Sequence, residues 1–257
     1  MTTPINVAGK RGLIVGIANE HSIAWGCADI LHQGGAELAL TYQGEKAKPY
    51  VEPLAKRVNA PLFMPLDVTK PEQMQAVFDA IQKEWGKLDF VIHSIAYAPK
   101  ADLHGRVVDF SAEGFLLATD ISCHSFLRLA KHAEPLMKDG GSLLTMSYYG
   151  AEKVIPDYSI MGPIKAMLEF AVDYLAVELG KQAIRVNAIS PGAMPTRAAS
   201  GLKGFDQLMQ ASEVKSPLHQ TVSLDDVGHM AAFLVSDLSK NITGGTHYVD
   251  AGYEVMD

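Results

Sequence analysis

The chain has 257 residues, 48% of them hydrophobic and 20% charged, enough for one large core and far from the composition of disordered or fibrous proteins. A formal net charge of −7 without a basic patch argues against nucleic acid and anionic membrane as partners. Its apolar runs are cut by charge well short of the roughly 18–20 residues a bilayer span requires, and the N-terminus lacks an apolar signal core. Cys27 and Cys123 both fall in apolar, helical-looking stretches, as small buried hydrophobes of a reduced, cytoplasmic protein do. Neither a disulfide nor a metal site is expected.

In chain order, an apolar run at Leu13–Ile17 predicts a strand. Ile23, Gly26, Cys27, Ile30 and Leu31 follow at helical spacing, stopped by Gly34-Gly35. Strands are predicted at Ala36–Tyr42 and, after a charged helical stretch, at Pro61–Asp67. A helix with Met74, Val77, Phe78, Ile81 and Trp85 on one face precedes a strand at Leu88–His93. A long helical stretch from about Ala112 to Met137 leads to a fifth strand, Gly141–Met146. Then come a helix over Asp157–Leu179, a strand at Ile184–Ile189, a helix at Leu224–Val235 and a last strand at Thr246–Val249. Strands alternating with helices require right-handed crossovers, hence one doubly wound α/β domain on a parallel sheet. The segment from Pro191 to about Ser216 fits neither element, so it is a flap or a plain connection.

Ligands of such sheets bind beyond the carboxyl ends of the strands. Gly16, after the first strand, lacks a GxGxxG context, so it marks either a tight turn or a pyrophosphate site at a helix N-terminus that Ser22 would cap. Asp67, before Val68, either accepts a hydrogen bond from an adenine amino group or caps Thr69 and the next helix. Small residues at Ser94-Ile95-Ala96 admit a planar ring or serve helix packing.

Two Tyr/Lys pairs compete after the fifth strand. Tyr149 and Lys153 have helical spacing, but Gly150 lies between them and Pro156 follows, so this pair reads as loop. Tyr158 and Lys165, seven residues apart, would share a face over two helical turns. A cation near a phenol lowers the phenol's pKa, which suits polarising a carbonyl oxygen during reduction.

These residues resemble the short-chain dehydrogenase/reductase superfamily, and within it the divergent branch of NADH-dependent enoyl-[acyl-carrier-protein] reductases of bacterial fatty-acid synthesis. The likeness runs through Gly16-x-Ala18, Ser22-Ile23-Ala24-x-Gly26, Thr41-Tyr42-Gln43, Asp67-Val68, His93-Ser94-Ile95 and Ser147-Tyr148. It continues through Tyr158-x-x-Met161-Gly162-x-x-Lys165 and Arg185–Ser190. The resemblance implies a Rossmann-like, seven-stranded parallel sheet forming a single dinucleotide-binding and catalytic domain over 1–257, with a substrate flap at about 193–216. It further implies NADH as cofactor, an acyl-carrier protein bearing the enoyl substrate as partner, and a homotetramer.

Carried over by position, Gly16, Ser22 and Ile23 would surround the pyrophosphate and its ribose, Gln43 the adenosine, Asp67 and Val68 the adenine, and Ile95 the nicotinamide. Tyr158 would hydrogen-bond the thioester oxygen, Tyr148 and Ala98 would line the acyl pocket, and Lys165 would hold the nicotinamide ribose. Met194, Pro195, Thr196, Arg197 and Ala198 would close on the cofactor.

Three departures stand out. Ala96 replaces a common Gly, Pro191 replaces a small residue, and Pro163 requires the Tyr158–Lys165 helix to begin near Tyr158 or to kink. The alternative, an ordinary 3-oxoacyl or carbonyl reductase, calls for Tyr-x-x-x-Lys on the helix and Asn-Asn-Ala-Gly after the fourth strand. A non-catalytic dinucleotide-binding scaffold would have little use for Tyr148, Tyr158 and Lys165 together.

Overall fold

The computed structural model describes residues 5–196 and 205–256. Seven strands form one parallel sheet: β1 (Arg11–Val15), β2 (Glu37–Tyr42), β3 (Leu62–Pro65), β4 (Phe90–His93), β5 (Gly141–Met146), β6 (Ile184–Pro191) and β7 (Thr246–Val249). Their spatial order is β3-β2-β1-β4-β5-β6-β7. The chain therefore moves outward from β1 in one direction, returns, and moves outward in the other. The switch point lies between β1 and β4, whose ends pair Val15 with His93, and a ligand crevice is expected beyond it.

Strands buried on both faces need helices on both. One core joins Val7, Ile14, Trp25, Leu31, Leu40, Ile92 and Leu234, under α1 (Ile23–Gln33), α2 (Lys48–Arg57) and α9 (Leu224–Val235). The other joins Leu13, Phe78, Val91, Phe126, Leu143 and Leu168, under α3 (Pro71–Glu84), the short α4 (Lys100–Leu103), α5 (Ala112–Thr119), α6 (Ser125–Ala133) and α7 (Met161–Leu179). Helices α1 and α9 touch through glycine: a Cβ on Gly26 would lie 2.6 Å from the Leu224 carbonyl oxygen. Ser223 and Asp226 form a reciprocal capping box at the start of α9.

Three expectations change. The stretch read as one helix from Ala112 breaks into α5, a π turn at Asp120–His124, α6 and a 3-10 turn at Glu134–Leu136. The extra residue of the π turn directs Ser122 and Ser125 inward, where both are fully buried. The segment after Pro191 contains a helix, α8 (Phe205–Lys215). Most consequentially, α7 begins at Met161 rather than Asp157, so Tyr158 stands outside the helix that carries Lys165. Pro163 then falls in the first turn, where its missing N–H is harmless.

Candidate active site

At the carboxyl edge of the sheet, a cleft of about 310 Å³ opens beyond β1, β4, β5 and β6. Ser94, Ile95, Ala96, Tyr97 and Ala98 leave β4 along one wall, Ser147 and Tyr148 leave β5, and Pro191–Met194 and Thr196 leave β6. Ile23, Leu103, Tyr158, Met161 and Lys165 complete the lining. The wall from β4 is pinned by the π turn: Ser122 Oγ accepts from the Tyr97 amide at 2.8 Å and donates to the Tyr97 carbonyl at 2.9 Å.

Tyr158 owes its position to a turn. Asp157 and Ser159 on either side have φ of +61° and +51°, so the chain bends left-handed twice around the tyrosine. Ser159 Oγ donates to the carbonyls of Asp102 and Gly105 at 3.2 and 3.3 Å. The Tyr158 ring packs edge-on against Tyr148, with centroids 4.8 Å apart. A Cβ on Gly150 would lie 2.5 Å from that ring.

Lys165 is buried, and its Nζ donates to the Met146 carbonyl at 2.6 Å. Burial pushes the ammonium down to about 8, with Glu169 and then Cys123 acting in the opposite sense. The expectation that a cation depresses the Tyr158 phenol fails here. Burial, Tyr148 and Glu169 all raise that phenol. Burial also raises Tyr148. The cleft thus presents two protonated phenols and an ammonium beside apolar walls. That arrangement donates hydrogen bonds to a developing oxyanion without giving up a proton.

Of the residues singled out from sequence, Ile23, Ile95, Ala98, Tyr148, Tyr158, Lys165, Met194 and Thr196 meet in the cleft. Gly16, Ser22, Gln43, Asp67 and Val68 lie along the same sheet edge beyond β1, β2 and β3, outside the lining, as does the exposed Pro195. Arg197, Ala198 and the centre of the expected flap lie outside the described residues.

Gly16 has φ +112°, and a Cβ there would stand 2.0 Å from the Ser94 carbonyl oxygen. Only glycine lets the β1 turn lie this close to the β4 exit. Ser22 occupies the N-cap position but does not cap α1; its hydroxyl accepts from the Ala18 and Asn19 amides at 3.0 and 3.1 Å and so shapes the loop. Asp67 binds the amide and hydroxyl of Thr69 at 3.0 and 2.7 Å. It caps that turn and not α3, whose N-cap is Lys70. Gln43 is exposed, and the Val68 carbonyl accepts from Arg128 at 2.8 Å.

Tyr149 and Lys153 are not on an α-helix, since Tyr149–Ala151 is a 3-10 turn. Sequence reasoning gave no role to Glu169, whose carboxylate accepts a hydrogen bond from Ser147 Oγ. A carboxylate one turn from Lys165 on an apolar helix was the available signal.

Known proteins resemble the chain over nearly its whole length. A family model described as enoyl-(acyl carrier protein) reductase matches residues 16–254. An enoyl-[acyl-carrier-protein] reductase [NADH] of Rhizobium meliloti is 50% identical over 248 residues, covering 96% of this chain and 91% of the relative. One from Rickettsia felis is 47% identical over 256 residues, 100% of this chain and 98% of the relative. Among solved structures, the enoyl-(acyl-carrier-protein) reductase of Anaplasma phagocytophilum in complex with NAD superposes with a TM-score of 0.95 at 49% identity, covering 100% of this chain and 98% of that one. With its switch-point cleft, its paired phenols and its buried lysine, the chain belongs to the enoyl-(acyl carrier protein) reductase family.

Proposed function

We propose that the chain reduces the trans-2 double bond of enoyl-acyl-carrier-protein thioesters with NADH, and that Tyr158, Tyr148 and Lys165 carry the reaction. The paired, protonated phenols in the apolar cleft carry this reading. The chain fits a dinucleotide at the switch point: the cleft runs along the β4 exit at Ser94–Ala98, where small side chains leave space, and Lys165 brings a buried ammonium to it. When bound, NADH supplies the hydride that reaches the β-carbon of the enoyl thioester.

Tyr158 donates its hydrogen bond to the thioester oxygen, which gains negative charge as the double bond shifts to the enolate. That bond strengthens toward the transition state, which is what lowers the barrier. Tyr148 and Ala98 line the acyl pocket. Lys165 holds the nicotinamide ribose with the Nζ hydrogens not used on Met146. The enolate is then protonated at its α-carbon by solvent, which completes the addition of one hydride and one proton across the double bond. Ile95 packs against the nicotinamide, and Met194, Pro195, Thr196, Arg197 and Ala198 close over the cofactor. Gly16, Ser22 and Ile23 surround the pyrophosphate, Gln43 the adenosine, and Asp67 and Val68 the adenine. The segment about 193–216 covers the substrate within a single dinucleotide-binding and catalytic domain.

A homotetramer is supported by apolar side chains exposed at helical spacing on α7, namely Met167, Phe170, Tyr174 and Val177, and by Leu116 on α5. A cytoplasmic setting accords with two buried, free cysteines. Among the described residues no helix is long and apolar enough to cross a membrane.

Following NADH absorbance with crotonyl-CoA and acetoacetyl-CoA in parallel tests the reaction: turnover only on the enoyl thioester is expected, and preference for acetoacetyl-CoA would establish the carbonyl reductase instead. Tyr158→Phe should lower kcat on crotonyl-CoA by about ten- to hundredfold, since removing one oxyanion donor costs on the order of a hundredfold and the Tyr148 phenol remains beside it. An unchanged kcat refutes the role of Tyr158.

A further inference from the structure

Glu169 lies one helical turn beyond Lys165 on α7, where side chains four apart are neighbours. Its carboxylate is partly buried and accepts the hydroxyl hydrogen of Ser147. Ser147 follows Met146, whose carbonyl accepts from Lys165 Nζ at 2.6 Å, and precedes Tyr148. Two adjacent residues at the exit of β5 are therefore bound by two residues one turn apart on α7. The ring closes through Lys165, Met146, Ser147 and Glu169.

We propose that Glu169 is a positioning residue for the reaction: anchored by Ser147, its carboxylate is the counter-charge that keeps the buried Lys165 an ammonium, and it locks the β5 exit, with Tyr148, against α7. The role follows from what surrounds the lysine. Cys123 faces it from the π turn and His93 from β4. Burial holds that histidine neutral down to about 3 and raises that thiol, so neither supplies a charge near neutral pH. Glu169 itself faces Ser147 and Glu152 beyond β5, Tyr158 in its turn, Tyr248 on β7 and, along its own helix, Lys165 and Asp173. Burial raises its carboxyl, and the Ser147 bond opposes that rise. An apolar side chain at this position would leave Lys165 buried with only a neutral carbonyl as partner.

The consequence for NADH rests on the cofactor role proposed for Lys165, so the test separates the two. In the full-length protein, the Lys165 titration is followed by NMR of carbon-13-labelled lysine, assigned with Lys165→Arg. Glu169→Gln keeps an acceptor for Ser147 and removes only the charge. An opposite charge within about 4–6 Å moves a pKa by about 1–3 units, and at the lower end of that range the Lys165 midpoint should fall by about one pH unit. From a starting value of about 8, NADH should then bind about fivefold more weakly at pH 8 and within about twofold of normal at pH 6.5.

An unmoved Lys165 midpoint overturns the proposal. A lowered midpoint without the matching loss of NADH affinity supports the counter-charge and instead refutes Lys165 as a cofactor ligand. Ser147→Ala tests the anchor in a protein that keeps the charge. Its kcat on crotonyl-CoA should fall at least about threefold with NADH affinity within about twofold, and a wild-type kcat overturns the clamp.

Discussion

Acid should destabilise this protein through one histidine. His93 ends β4 fully buried, its Nδ1 2.8 Å from Thr145 Oγ1 and its Nε2 2.8 Å from Ser125 Oγ. The Ser125 hydroxyl spends its hydrogen on the Ile121 carbonyl at 2.6 Å. Its oxygen must therefore accept from Nε2–H, which leaves Nδ1 as acceptor for Thr145. A second proton would place a charge on the buried ring and turn Nδ1 into a donor. Burial, then the neighbouring Lys165, hold the folded imidazole down to about 3, from 6.5.

Below pH 6.5 the unfolded chain binds a proton that the folded chain refuses, so stability falls as pH falls. By pH 4.5 the loss is on the order of 2–3 kcal/mol, and it depends little on the folded value so long as that stays below about 4. Urea unfolding of wild type and His93→Gln at pH 7 and pH 4.5, at one protein concentration, isolates this contribution. Asp120 and Asp237, whose carboxyls are lowered by Arg128 and Lys10, lose stability equally in both proteins. Wild type should lose on the order of 2–3 kcal/mol more than the variant, and equal losses refute the neutral-imidazole argument.

Lys165→Ala should weaken NADH binding by about tenfold or more, since it removes a charged donor of about 1.5–3 kcal/mol; undiminished affinity by calorimetry counts against its cofactor role. Tyr149→Phe and Lys153→Ala should leave turnover within about twofold, and a collapse in a folded protein would move the site one motif upstream and favour the carbonyl reductase. Phe170→Asp places a charge in the exposed apolar stripe of α7 and should shift the protein to smaller species in sedimentation, so an unchanged sedimentation coefficient removes that face from the interface.

Much of the fold was legible because its signals are local. Strands β5 and β7 and helix α9 begin and end where apolar runs meet glycine, charge or a capping serine. Pro163 limits how early α7 can begin, since a proline costs least in a first turn, but Pro53 inside α2 shows that the rule is not absolute, and α7 starts at Met161, three residues after Tyr158. Periodicity could not reveal the π turn, because one inserted residue leaves apolar spacing within helical tolerance while turning Ser122 and Ser125 inward. Nor could it place Asp157 and Ser159 in left-handed conformation, so Tyr158 was assigned to a helix it precedes. The Ser147–Glu169 bond spans 22 residues, and no local pattern announces such a contact. The same limit applies to the lysine: its bond to the Met146 carbonyl, 19 residues back, has no local pattern either.

The misplacement of Tyr158 also shows how the site is built. On the helix, the phenol would be held to one height and one rotation relative to Lys165. Three residues ahead of it, the phenol is set by the turn and by what the turn touches. Two non-glycine residues at positive φ cost about 1–3 kcal/mol each, less for Asp157, whose side chain tolerates that region. Against this stand the Ser159 bonds to the Asp102 and Gly105 carbonyls and the packing of the Tyr158 ring on Gly150 and Tyr148. Leu103, between those two carbonyls in sequence, lines the cleft. The Leu103 wall of the cleft and the Tyr158 phenol are thus fixed to each other through Ser159, independently of the helix that carries Lys165.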